Sequence, residues 1–181
     1  MAFITYKFRI YPNKQQTQQF VRQIGMARWV WNKMIETNNK QYEQNKTFVF
    51  YNEMAGMLPG LKKDYEWLRE SNSQTLQTIT KSLETTLKNF IKNPKANGFP
   101  KFKNKHNSSQ SFVVPQHFKL ENKYFTIPKI GKIKWKKHQK IYGVPKRLII
   151  SCDIDQWFVS VITETQEVPS LTEINNIVGI D

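Results

Sequence analysis

The chain has 181 residues, enough for one large domain or two small ones around a buried core. Lysines and arginines number 28 against 14 acidic residues, a net charge of +14, which points to a polyanionic partner because each neutralised phosphate releases condensed counterions. The single cysteine, Cys152, excludes an internal disulfide and a cysteine-built zinc site.

The three histidines, His106, His117 and His138, are too widely spaced for a helical ligand pair and read as surface or nucleic-acid-facing residues. No apolar run at the start leads to a cleavage site, and none approaches the ~20 residues that cross a bilayer. The expectation is a cytoplasmic, nucleoid-associated protein with no membrane partner.

The opening segment alternates: Ile4, Tyr6, Phe8 and Ile10 point one way, Thr5, Lys7 and Arg9 the other. This predicts a half-buried strand, ended at Pro12. Asn13 with Gln16 three residues on predicts a capping box. The helix it starts buries Phe20, Val21 and Ile24, and Gly25 is expected to break it. A second helix follows, with Ala27, Val30, Trp31, Met34 and Ile35 at helical spacing. Two such helices around a glycine resemble a helix-turn-helix, although an ordinary helical hairpin has the same pattern.

A third helix is expected from Asn52 to Met57, interrupted at Pro59-Gly60. After Trp67 and Leu68, a cap at Ser71 or Ser73 starts a long helix. Its inner face carries Leu76, Ile79, Leu83, Leu87, Phe90 and Ile91. Gln74, Gln77, Thr78, Lys81 and Lys88 occupy the other face. Amides can pair with base edges and lysines with phosphates, so this face suits a duplex; a solvated face would have the same composition.

From Lys88 to Lys140 there are fourteen lysines and one acid, Glu121, interleaved with aromatics such as Phe99, Phe112, Tyr124 and Trp135. Basic groups with spaced rings suit a groove that tracks a backbone and stacks bases. Short alternating pieces recur at 118–120, 124–127, 133–135, 147–152 and 157–162, with turns at Asn122-Lys123 and Asp155-Gln156. They suggest a small barrel that the first strand could join, with the helices inserted between. The segment 168–176 reads as a linker leading to Val178-Gly179-Ile180-Asp181. An apolar strand ending in an aspartate is one way to present a carboxylate to a divalent ion; a lone aspartate is more often a surface residue.

In sum, the sequence resembles the TnpB (OrfB) family of transposon-encoded RNA-guided DNA nucleases. The resemblance rests on Tyr6 to Asn13, Gly25 through Arg28 to Trp31-Asn32, Trp67-Leu68, Ser73 to Gln77, Lys88-Asn89-Phe90, Gly98 to Lys103, Gln110-Ser111-Phe112 and Val178 to Asp181. It implies an α+β chain: a small Greek-key or OB-like β-barrel (WED) from residues 1–12 and 97–167, with a helical recognition domain (REC) at 13–96. After the linker, 177–181 would be the first strand of a truncated RuvC-like, RNase H-like nuclease domain.

The implied partners are a transposon-derived guide RNA, a target DNA duplex with an adjacent short motif, and the remaining RuvC-like part. Gln74, Gln77, Thr78, Lys81, Gln110, Ser111 and Phe112 are the expected DNA contacts. Lys7, Arg9, Arg28, Lys101, Lys103, Lys105, Lys132, Lys134, Lys136 and Lys137 are the expected RNA contacts. Asp181 matches the first of three catalytic carboxylates. The complete nuclease would use divalent metal, Mg, whereas this chain alone is expected to hold no cofactor and not to cut. A stand-alone helix-turn-helix repressor derived from a transposase is the alternative.

Overall fold

The computed structural model describes residues 2–106 and 110–166. Strand β1 (Ala2–Tyr11) leads into helix α1 (Lys14–Asn45), then α2 (Tyr51–Asp64), a 3-10 segment (Glu66–Glu70) and α3 (Ser73–Lys92). Six strands follow: β2 (Gln110–Val114), β3 (Lys119–Leu120), β4 (Tyr124–Ile127), β5 (Gly131–Lys136), β6 (Val144–Asp153) and β7 (Gln156–Thr165). The expected α+β class is what the chain adopts.

All seven strands form one antiparallel sheet in the order β2-β6-β7-β1-β5-β4-β3. The N-terminal strand sits at its centre, paired with β7 from Ala2↔Thr165 to Ile10↔Trp157 and with β5 at Arg9↔Lys136. Period-two alternation puts Tyr6, Phe8 and Ile10 inside, as the sequence predicts. A flat sheet would hold β2 and β4 about 24 Å apart, five strand spacings. Yet Phe112 and Val114 of β2 and Ile127 beyond them line one small internal gap. The sheet therefore curls on itself like a barrel, while β2 and β3 remain its two edges among the described residues.

The described residues form two cores. Inside the curled sheet lie Phe8, Phe125, Ile133, Trp135, Leu148, Ile150, Val159 and Val161. The second, between the helices, contains Val30, Met34, Ile35, Met54, Leu68, Leu76, Leu83 and Leu87. Helix α1 serves both. Its first turns drive Phe20 and Ile24 into the sheet core, where the Phe20 ring lies 5.0 Å from Trp157 and 5.8 Å from Phe112. From Met26 onward the same helix faces α2 and α3.

This corrects the expected break at Gly25: residues 14–45 are one helix, without a glycine turn. A mid-helix glycine costs only about 1 kcal/mol, less than the burial it would interrupt on either side. Pro59 likewise lies inside α2 instead of ending it, on the exposed side. The cap of α3 is neither Ser71, which is buried, nor Ser73, but Asn72, whose Oδ1 accepts from the Gln74 N–H at 3.1 Å. The expected capping box forms: Asn13 Oδ1 accepts from Gln16 N–H at 2.8 Å, and Gln16 Oε1 accepts from Asn13 N–H at 3.0 Å. The β6–β7 turn falls one residue earlier than expected, at Ile154 and Asp155, both left-handed as a two-residue hairpin turn requires. Val21 and Ile91, expected inside, are exposed.

Candidate nucleic-acid interface

Residues scattered along the sequence meet in a cleft of about 360 Å³ between α1, α3 and β2. Arg28 and Trp31 come from α1, Thr78 and Ser82 from α3, Lys103 and Asn104 from the segment after α3, and Gln110, Ser111 and Phe112 from β2. Four of the expected DNA-contacting residues and two of the expected RNA-contacting ones therefore share one concavity.

Local structure explains how each is held. The segment carrying Lys101 and Lys103 has no regular structure, so α1 fixes its backbone. Trp31 Nε1 donates to the Lys101 carbonyl at 3.0 Å. Asn32 Nδ2 donates to the Lys103 carbonyl at 2.9 Å, and the Lys103 N–H returns a bond to Asn32 Oδ1 at 2.8 Å. Lys103 Nζ lies 4.1 Å from the Trp31 ring centroid, and desolvation there holds its ammonium below the usual lysine range. The Gln110 side-chain amide donates to the Lys105 carbonyl, tying that segment to the start of β2.

Along α3, hydroxyls are already satisfied by their own helix: Thr78 Oγ1 donates to the Thr75 carbonyl at 2.7 Å, and Ser82 Oγ to that of Thr78 at 2.8 Å. Gln77 and Lys81 are exposed on the same helix. Gln74 is half-buried, and its Oε1 is buried without a partner.

The remaining expected RNA contacts lie elsewhere. Lys7 and Arg9 on β1 and Lys132, Lys134 and Lys136 on β5 alternate with buried residues, so they share the outer face of the sheet. The register pairs Arg9 with Lys136 and Tyr11 with Lys134. Rings interleave with these cations: Lys7 Nζ is 4.3 Å from Phe158, Lys132 Nζ 4.9 Å from Tyr124, and the Arg9 guanidinium 5.9 Å from Tyr11. Two members are partly engaged, Arg9 by the Gln156 side chain and Lys132 by Glu121 at 2.7 Å. Lys101, Lys105 and Lys137 are exposed. Asp181, the linker 168–176 and the strand 177–181 lie outside the described residues. No group of three or more metal-ligating His, Cys, Asp or Glu side chains occurs among the described residues, and no described helix is long and apolar enough to cross a membrane.

Residues 1–47, a span that contains β1 and α1, match the helix-turn-helix domain of the OrfB/IS605 family. Over 180 residues, 97% of this chain, the sequence is 32% identical to the Escherichia coli (strain K12) protein named "Putative RNA-guided DNA endonuclease InsQ". Through that domain and through InsQ the chain is similar to the TnpB/OrfB family. It spans 44% of the length of InsQ. The virulence protein VsdF of Salmonella dublin is 29% identical over 110 residues, 55% of this chain and 92% of VsdF.

The contributions of Ser82, Asn104 and Tyr11, and the clamp made by Asn32, are not among the residues the sequence singled out. Ser82 follows Thr78 by one helical turn, a signal that could have found it. The Asn32 clamp joins residues 71 apart, and no local pattern announces it.

Proposed function

We propose that this chain is the guide-RNA- and target-DNA-binding portion of a TnpB-type RNA-guided DNA endonuclease. In this reading residues 1–12 and 97–167 are the wedge-like barrel, 13–96 the helical recognition domain, 168–176 a linker, and 177–181 the start of a RuvC-like domain. The observation that carries it is the convergence of Arg28, Thr78, Lys103, Gln110 and Ser111 in one cleft between the helices and the sheet. Amides and hydroxyls there suit base edges, and the two cations suit phosphates. The exposed Gln77 and Lys81 extend that surface along α3. The outer sheet face, with Lys7, Arg9, Lys132, Lys134 and Lys136 among rings, is the surface we assign to RNA backbone. Asp181 would be the first carboxylate of a Mg site completed by other parts of the nuclease.

The test is binding to a structured RNA from the transposon end, and to duplex DNA in its presence, across a salt series. The proposal expects salt-sensitive RNA binding that Lys134→Ala and Lys136→Ala weaken. It also expects RNA-dependent duplex binding that Gln110→Ala and Ser111→Ala weaken. A folded chain that ignores such RNA refutes it, and sequence-specific duplex binding without RNA favours the repressor alternative.

A further inference from the structure

On the face of α1 turned away from the sheet, a second concavity of about 460 Å³ has Gly25 and Met26 as its floor and Trp29 and Trp67 as walls. The two indoles stand nearly perpendicular, at 81° with centroids 5.2 Å apart, and Tyr65 braces Trp29 at 4.6 Å. Trp67 leaves 41% of its surface exposed, although leaving an indole in water forgoes the gain of burying it.

The floor sharpens this. Gly25 sits in mid-helix, where glycine costs about 1 kcal/mol relative to alanine. A Cβ built on Gly25 meets no atom within 4 Å, so the fold itself does not require a glycine there. A planar group seated over Gly25, in the corner that the two perpendicular indoles make, would.

Charge selects the class of that group. The one acid at the rim, Glu70, already pairs with Arg22 at 3.4 Å, while Arg28 has no acidic partner among the described residues. A net positive rim rejects an organic cation and accepts a planar group attached to phosphate. Arg28 also lines the cleft between α1, α3 and β2, so the two concavities share this residue.

We infer that the Gly25–Trp29–Trp67 pocket captures an unpaired nucleobase of a single strand whose phosphate is held by Arg28. The inference rests on the proposed nucleic-acid function and adds a site to it. The base stacks on one indole and meets the edge of the other, independent of sequence because every base has a π-face.

The test compares fluorescein-labelled dT12 and U12 with abasic 12-mers of the same backbone, which keep every phosphate and lack every base. The full chain should bind the base-bearing strand about tenfold more tightly than its abasic counterpart, within the range for one stacked base. Trp67→Ala and Gly25→Leu should each reduce that preference about fivefold or more and leave abasic binding unchanged. Gly25→Leu should melt no lower than the unaltered protein, because it removes a helical glycine. A preference seen only with U12 or only with dT12 identifies the strand as RNA or DNA and supports the pocket in either case. Equal binding of base-bearing and abasic strands by the unaltered chain, or a preference that survives in both variants, overturns the inference alone. Failure to bind any strand, duplex or transposon-end RNA overturns the proposed function with it.

Discussion

Asn32 and Lys103 exchange two hydrogen bonds, side-chain amide to backbone in both directions, at 2.9 and 2.8 Å. The pair holds an irregular segment against α1 in the way a strand would be held by its ladder. Asn32→Ala removes both bonds and should cost about 1–3 kcal/mol. Asn32→Asp can still accept from the Lys103 N–H but cannot donate, so it should lie between. Urea midpoints rank the three proteins, and amide exchange at Lys103 should accelerate in Asn32→Ala, where its N–H loses its acceptor, and much less in Asn32→Asp.

Lys103 itself has a pH signature. Its ammonium is desolvated beside Trp31 and releases its proton more readily when folded than at the usual 10.5. Between the lowered value and 10.5 the unfolded chain holds the extra proton, so stability gains a contribution that rises with pH. Lys103→Met keeps the stem on Trp31 and removes the titration. Denaturant midpoints from neutral to alkaline pH should show a flatter profile in the variant, with stability at neutral pH equal or greater. Under the proposed function its affinity for nucleic acid should also fall, because the ammonium would be the part that meets phosphate.

On the outer sheet face, Lys134 and Lys136 carry no acidic partner among the described residues. Replacing either with alanine should lower the slope of log affinity against log salt by about one. Stability should change by no more than about 0.5 kcal/mol. Replacing Lys132, which pairs with Glu121, should change the slope less.

Phe20 is fully buried where α1 enters the sheet core. Phe20→Ala should cost about 3–5 kcal/mol. Because this ring anchors α1 to the sheet, tryptophan fluorescence and helical circular dichroism should fall together, at a lower denaturant midpoint.

Much of this architecture was legible locally. The alternation of Ile4 to Ile10, the Asn13–Gln16 box and the short strands after Lys119 each depend on near neighbours, and each formed. Gly25 and Pro59 misled because tertiary burial on both sides of a weak residue outweighs its local preference. The cleft was legible only as a set of residue types. Thr78, Lys103 and Gln110 carried suitable chemistry, but their meeting depends on α1 holding the 98–106 segment, a contact between distant positions. The pocket at Gly25 was hidden for the same reason that made its glycine look like a break.

The position of β1 at the centre of the sheet sets an order of events during synthesis. Its partners are β5 and β7, the latter reached only at residues 156–165. At about 5–20 residues per second, the first strand leaves the ribosome roughly 8–30 s before β7 exists. The helices are complete well before then. A nascent chain would carry an assembled helical core beside a strand with one apolar face and most of its ladder still unpaired, the kind of edge that chaperones hold or that pairs wrongly with a neighbour.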